Sequence, residues 1–395
     1  MGLEIKKSLF ITLDFPPRLG GVATFYYNVC KNLPPDKIIV LAPTQEGSEE
    51  FDRQQKFTII RKKLLNQFPE TWPTGFGGIL KIISTIRWFS IIKHLAQTVK
   101  NHQIELIQVG QILPLGTLAL IYKNRKKIPY IFYAHGLDIT LPQKFMRKKT
   151  LLKKIIAGAQ GIIANSHWTE DKLIELGAEK NKITVVHPCP NLSPEQASEW
   201  KVEEIFQDHQ LKDKKILLTV GRLVERKGHD MVIKALPQII KAVPDVIYLI
   251  VGNGPHKKAL EKLSNQLRLG DYVKFISVAD QNDLAAFYQI CDVFIMPARE
   301  LENGDVEGFG IVYLEANLFG KPVIGGRSGG VPEAIVDGQT GILVNPVDSE
   351  EIAQTAISLL TDSAYAAKLG TQGLGRVSEK FDWAIQTEKI KAILK

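Results

Sequence analysis

Short apolar runs alternate with helical stretches along this chain, and the alternation starts afresh after a segment punctuated by Pro188, Pro190 and Pro194. The first series places strands at 8–13, 37–41, 106–109, 130–134, 161–164 and 183–186. The second places them at 216–221, 246–251, 273–276, 293–296, 323–324 and 342–344. Runs this short and this apolar suit parallel strands covered by helices on both faces. A chain of 395 residues is also too long for one ordinary core. The expected fold is therefore α/β, with two Rossmann-like doubly wound domains facing across a cleft. Ligands in such sheets bind at the C-terminal strand edges. The predicted domains span 1–190 and 191–372, followed by a C-terminal helix at 373–395 with the option of crossing back to the first domain.

The loops after these strands carry the chemistry. Glu307 and Glu315 flank Gly308-Phe309-Gly310-Ile311, a glycine turn that opens a helix. The free amides and partial positive charge of a helix N-terminus attract phosphate. Carboxylates beside an anion accept hydrogen bonds from uncharged hydroxyls instead. Glu315 stands roughly 7 Å along the helix from Gly310, about the reach from a diphosphate to a ribose. The pair thus describes a nucleotide sugar. Arg222 and Lys227 follow the first strand of the second series and combine a bidentate fork with a mobile point charge, suited to a diphosphate. Their neighbour Arg226 reads as solvated or structural.

Gly20-Gly21 after the first strand admits either close ligand approach or a tight strand-to-helix turn. His135, just after the strand at 130–134, is a cleft candidate or a packing residue, and Asp138 either orients it or caps the next turn. Gly252-Asn253-Gly254 comes closest to a dinucleotide fingerprint, but Lys257 stands where the third glycine belongs, which argues against a nicotinamide dehydrogenase. Asp305-Val306-Glu307 only loosely resembles a metal-holding acid pair, and no metal is expected. The loop at 325–330 reads as backbone packing near the phosphates, with Pro332-Glu333 opening a helix.

Charge divides the chain. Residues 1–190 hold 27 Lys+Arg against 14 Asp+Glu, whereas 191–395 hold 23 against 28, giving +13 and −5 and the overall +8. Basic clusters at 61–63, 123–127, 144–149 and 153–154 suit an anionic membrane surface or a solvated face. No nucleic-acid reader motif accompanies them. Three dispersed cysteines, Cys30, Cys189 and Cys291, suit a reducing compartment. The start lacks a signal-peptide core, and the apolar stretch 79–99 is interrupted by Lys81, Arg87, Lys93 and His94. The expected location is cytoplasmic, with peripheral attachment to the inner face of the cell membrane as an option.

Taken together, Gly20-Gly21, His135-Gly136, Arg222 with Lys227-Gly228, the Glu307–Glu315 element and Gly329-Gly330-Val331-Pro332-Glu333 resemble glycosyltransferase family 4, retaining enzymes of the GT-B fold. The runs at 14–21, 305–308 and 311–315 are similar to bacterial phosphatidylinositol mannoside mannosyltransferases. His135-Gly136-Leu137-Asp138-Ile139-Thr140 departs from that subgroup toward enzymes using glucose or N-acetylglucosamine donors. The resemblance implies that Arg222 and Lys227 hold the diphosphate with the amides of Gly310 and Ile311. It further implies that Glu307 binds sugar hydroxyls, Glu315 the ribose and His135 the sugar. Catalysis is then positioning and leaving-group electrostatics without a side-chain base. Asp280 either reads a guanine edge or caps a helix at 282–290, which tilts the donor toward GDP-mannose over a UDP-sugar. The expected activity is transfer of a hexose, mannose favoured, to a lipid-linked or glycan acceptor. Alternatives are a UDP-sugar-dependent glucosyl- or N-acetylglucosaminyltransferase, an epimerase on the same architecture, and a catalytically silent docking subunit.

Overall fold

The computed structural model describes residues 4–17, 20–63, 79–277 and 281–395. They form two compact units, one of Met1–Asn165, Thr169–His187 and Trp383–Lys395, the other of Ser166–Trp168 and Pro188–Asp382. The first holds β1 (Ser8–Ile11), β2 (Ile38–Ala42), β3 (Thr58–Arg61), β4 (Leu106–Val109), β5 (Tyr130–Ala134), β6 (Gly161–Ala164) and β7 (Ile183–Val185). They pair in the order β3-β2-β1-β4-β5-β6-β7, parallel throughout. The second holds β8 (Lys215–Val220), β9 (Val246–Val251), β10 (Val273–Ile276), β11 (Val293–Met296), β12 (Val323–Gly326) and β13 (Ile342–Val344). Their order is β10-β9-β8-β11-β12-β13, again parallel. In each unit the order reverses beside its first strand, the doubly wound pattern that gathers ligand-binding loops at that point.

Strand residues alternate between two cores, which is why the runs are apolar on both faces. In the first unit Leu9, Ile11, Ile107, Val109 and Phe132 face one core, with Leu118, Leu152 and Ile155 from the helices Leu115–Lys126 and Met146–Gly158. Phe10, Leu106, Ile131 and Tyr133 face the other, with Phe25, Tyr26 and Val29 from the helix Gly21–Lys31. That second core is closed by the helix Trp383–Ile393. The Trp383 ring lies 5.3 Å from Phe25, and Ile390 and Leu394 have no exposed surface. Residues Ser363–Lys380 form a separate helix that packs on the helix Ile311–Leu318 of the second unit.

β3 has no counterpart in the sequence expectation. It is an edge strand carrying only Ile59 and Ile60 as apolar residues, and none of its four residues is fully buried. Among the described residues no helix is long and apolar enough to cross a membrane.

Candidate active site

In the second unit β8 ends at Val220 and the chain turns through Glu225–Lys227 into the helix His229–Ala242. The loop after β9 lies directly on this turn. A Cβ on Gly252 would stand 2.1 Å from the Gly221 carbonyl oxygen, and one on Gly254 would stand 2.3 Å from that of Leu223. These two glycines therefore serve backbone approach between loops. Arg299 braces the turn from the other side, its amide donating to the Arg226 carbonyl at 2.8 Å and its guanidinium to Asp230 at 2.8 and 3.2 Å.

Lys227 emerges from the turn with its side chain 10% exposed, and its Nζ stands 2.6 Å from Glu307 Oε2. Arg226 adds a second cation, with Nη2 at 3.8 Å from the same oxygen and Nε at 3.5 Å from Asp305 Oδ1. Burial alone would raise the Glu307 pKa, but Lys227, Arg226 and the bonds from Lys227 and the Phe309 amide overcome it, and the carboxyl lies below its ordinary value. Glu307 is thus held as the anion. Among the described residues, Arg226 Nε, Asp305 Oδ1 and Glu307 Oε2 are buried and held by these ion pairs without a well-aligned hydrogen bond. Arg222 is exposed, and its side chain makes no ion pair or hydrogen bond among the described residues, though its carbonyl accepts the Val224 amide at 2.9 Å.

The turn carrying Glu307 is fixed by glycines. Gly330 donates its amide to the Glu307 carbonyl at 3.0 Å, and a Cβ on Gly330 would fall 2.1 Å from the Gly308 carbonyl oxygen. Gly310 has φ 92 and caps the helix Ile311–Leu318, a left-handed position that glycine takes without strain. Phe309 is buried against Phe381 at 5.9 Å. The amides of Ile311 and Val312 that open this helix have no intrahelical acceptor and form an anion-attracting end, while the Tyr313 amide donates to the Gly310 carbonyl at 3.1 Å. In its second turn Glu315 is buried, and its Oε2 accepts a 2.8 Å bond from the Tyr288 hydroxyl. Burial pushes the Glu315 pKa up, against the Tyr288 bond and the more distant Lys227 charge. One carboxylate is therefore stabilised as a charge and the other is not.

In the first unit Gly20 caps, and Gly21 begins, the helix that follows β1. His135 follows β5, half-buried, with its ring against Phe25 at 5.3 Å and Tyr26 at 5.2 Å. Its Nε2 lies 2.8 Å from the Tyr26 hydroxyl. Asp138 Oδ1 accepts the His135 backbone amide at 2.9 Å, so Asp138 holds the turn rather than the imidazole. Burial lowers the His135 pKa to about 4 and raises that of Asp138 to about 6, the latter against its backbone bonds.

The structure thus brings Lys227, Glu307, Gly308, Phe309, Gly310, Ile311 and Glu315 into one neighbourhood of the second unit, with Arg222 on the same loop as Lys227. His135 and Gly20-Gly21 lie at strand ends of the first unit. Asp280 lies outside the described residues. Arg226, Tyr288 and Tyr26 are partners that the sequence reading did not identify. Each belongs to a segment remote from the residue it holds, and only the charge run at 225–227 left a signal.

Residues 19–193 match the profile described as Glycosyltransferase Family 4, and residues 201–376 match Glycosyl transferases group 1. A GDP-mannose-dependent monoacylated alpha-(1-6)-phosphatidylinositol monomannoside mannosyltransferase of Corynebacterium glutamicum is 30% identical over 404 residues, covering 98% of each chain. A GDP-mannose-dependent alpha-(1-6)-phosphatidylinositol monomannoside mannosyltransferase of Mycolicibacterium smegmatis is 29% identical over 397 residues, covering 98% of this chain and 97% of its own. Anabaena HepE, solved in complex with UDP and glucose, superposes with a TM-score of 0.79 at 21% identity over 98% of this chain and 99% of its own, which shows the GT-B fold. With its two doubly wound units, the Lys227–Glu307 site and a full-length relative, the chain belongs to the family 4 glycosyltransferases.

Proposed function

We propose that the protein is a retaining mannosyltransferase that moves mannose from GDP-mannose to a phosphatidylinositol-type or other lipid-linked acceptor. One observation carries the reading: a buried lysine and an ionised glutamate meet at a glycine turn that opens a helix. On this reading Arg222, Lys227 and the amides of Gly310 and Ile311 take the diphosphate. Glu307 then exchanges its lysine contact for sugar hydroxyls, and Glu315 offers the oxygen not engaged by Tyr288 to the ribose. The bond from the anomeric carbon to the phosphate oxygen breaks as the acceptor oxygen bonds to that carbon on the same face. The acceptor proton passes to the departing phosphate oxygen, and GDP leaves with the charge. Positioning and leaving-group electrostatics supply the rate. Asp305 and Glu307 face Arg226 and Lys227, cations that a divalent metal would have to displace, which supports a metal-independent reaction.

Between Leu106 and Thr169 the sequence holds ten Lys and Arg against one acid, Asp138. At the start of the helix Met146–Gly158, Phe145 and Met146 are 48% and 77% exposed beside exposed Arg147. Apolar tips set among cations fit an anionic bilayer, where a lipid-linked acceptor resides.

The test is a melting-shift panel of GDP, GDP-mannose, UDP, UDP-glucose and UDP-N-acetylglucosamine, followed by transfer of labelled mannose to a phosphatidylinositol-containing lipid extract. Stabilisation by GDP compounds with labelled lipid supports the reading. Stabilisation by UDP compounds alone moves the donor to a UDP-sugar, and no shift from any of them sinks the reading.

A further inference from the structure

The turn that carries Glu307 is gripped from behind by an arginine of the same unit. Arg376 stands half-buried, about one turn before the end of the helix Ser363–Lys380. Its Nη1 donates to the Ala334 carbonyl at 2.8 Å and its Nη2 to the Glu333 carbonyl at 2.6 Å. These are the last carbonyls of the short helix Val331–Ala334, groups that a helix end leaves without intrahelical partners. The same guanidinium lies 4.8 Å from the centre of the Phe381 ring, within cation–π reach. Enclosing a cation without a counter-ion costs free energy unless such contacts offset it, and no carboxylate pairs with Arg376 among the described residues.

Both of its contacts lead to the Glu307 turn. On one side, Glu333 and Ala334 follow Gly329-Gly330, and the Gly330 amide holds the Glu307 carbonyl at 3.0 Å. A Cβ on Gly329 would stand 2.4 Å from that same carbonyl oxygen, so backbone meets backbone there with no side chain to give way. On the other side, the Phe381 ring lies 5.9 Å from that of Phe309, both buried. The Phe309 amide in turn bonds the Glu307 carboxylate. The contacts close a circuit that runs from Arg376 through Gly330, Glu307, Phe309 and Phe381 back to Arg376. A turn held at its carbonyl and at its neighbouring ring cannot tilt without breaking one hold or the other. The 2.6 Å contact between Lys227 and Glu307 depends on that fixed aim.

We infer that Arg376 is a positioning residue that sets the aim of the Glu307 carboxylate through Gly330 and Phe309, and thereby supports turnover. That Glu307 meets a donor sugar rests on the proposed function, whereas the bracing of Glu307 does not.

The test is a carboxyl 13C titration of the full-length protein labelled with 13C-glutamate, with Glu307 assigned by comparison with Glu307→Gln. In the wild type Glu307 should titrate below the ordinary carboxylate range. Arg376→Met and Phe381→Leu cut the circuit at different points, and each should move that titration up toward the ordinary value. Arg376→Lys keeps the charge and reach for one carbonyl, so it should move the titration less. Leu359→Ala, in the core under the helix Ser349–Thr361, should lower the melting temperature without moving Glu307. In mannose transfer at saturating GDP-mannose, Arg376→Met should lower kcat roughly three- to tenfold, the worth of one lost hydrogen bond. An unmoved Glu307 titration in Arg376→Met or Phe381→Leu overturns the inference, and so does an equal shift in Leu359→Ala. Wild-type kcat in a variant whose Glu307 has shifted overturns it as well. Where Arg376→Met does not fold, Arg376→Lys decides, and no shift in that variant counts against the brace. If the titration moves as expected but no GDP-sugar turns over, the donor reading fails and the bracing role stands.

Discussion

Lys227 Nζ and Glu307 Oε2 meet at 2.6 Å, both side chains nearly enclosed, so the cation and the carboxylate proposed to take the donor's phosphate and sugar are already paired with each other. Donor binding must therefore redistribute an existing ion pair rather than fill an uncharged hollow. The Lys227 charge helps hold the Glu307 carboxyl below its ordinary range, and on the proposed reading substrate divides the pair.

Lys227→Met should weaken both stability and ligand affinity. It leaves Glu307 enclosed with Arg226 at 3.8 Å and the Phe309 amide as compensation. The expected loss is roughly 2–3 kcal/mol in a urea titration, with GDP affinity down about ten- to hundredfold by calorimetry. Glu307→Gln in the same background should recover part of the stability and none of the affinity.

Arg222→Ala separates the two effects. Arg222 is exposed and unpaired among the described residues, so its loss should leave stability within about 0.5 kcal/mol of wild type. GDP binding should still fall about tenfold, and the deficit should shrink as salt rises. A melting temperature lowered as much as by Lys227→Met would contradict the assignment.

The two carboxylates should give opposite pH signatures. Glu307 is depressed in the folded state, so its stabilising contribution is present above its unfolded pKa and is lost as pH falls through the lower folded value. Glu315 is raised, so its contribution is present below its unfolded pKa and is lost as pH rises through the higher folded value. Glu315→Gln should therefore gain stability relative to wild type between those two Glu315 values as pH rises. Glu307→Gln should lose ground relative to wild type as pH rises from its depressed folded value through its unfolded one. Denaturation curves from pH 3 to 8 read both.

Gly330→Ala should disturb activity although Gly330 is buried and carries no side chain. The added methyl meets the Gly308 carbonyl oxygen at 2.1 Å and pushes on the turn that aims Glu307. Destabilisation of about 1–3 kcal/mol is expected, with a fall in kcat that added donor does not restore. Normal turnover in this variant would show that the Glu307 turn tolerates displacement.

Vesicle flotation should show binding to phosphatidylglycerol-rich membranes that declines between low and high salt and is absent on phosphatidylcholine. Phe145→Ser with Met146→Ser should reduce it while leaving GDP affinity intact. Binding independent of salt and lipid charge would contradict a membrane role for the basic face.

The strands at 106–109, 130–134, 161–164, 246–251, 273–276 and 293–296 were legible because a parallel strand buried on both faces leaves an uninterrupted apolar word. β3 left no such word, since an edge strand needs only Ile59 and Ile60. Glu307, Glu315 and Lys227 were legible because glycines and helix starts mark them locally. Their partners were not. Arg226 reads as solvated or structural until folding sets it against Asp305 and Glu307, and Tyr288 reads as one more aromatic until its hydroxyl meets Glu315. Tyr26 lies 109 residues from His135, a distance that no local pattern spans.

The return of the helix Trp383–Ile393 to the first unit sets the order of synthesis against the order of folding. The ribosome releases the sheet of the first unit early, yet Ile390 and Leu394, which seal its aromatic core, emerge only after all of Pro188–Asp382 has been made. The second unit can complete its fold while the first still waits with Phe25 uncovered. A nascent chain stalled before residue 383 therefore exposes its stickiest surface in the half made first, where chaperone capture is the natural safeguard.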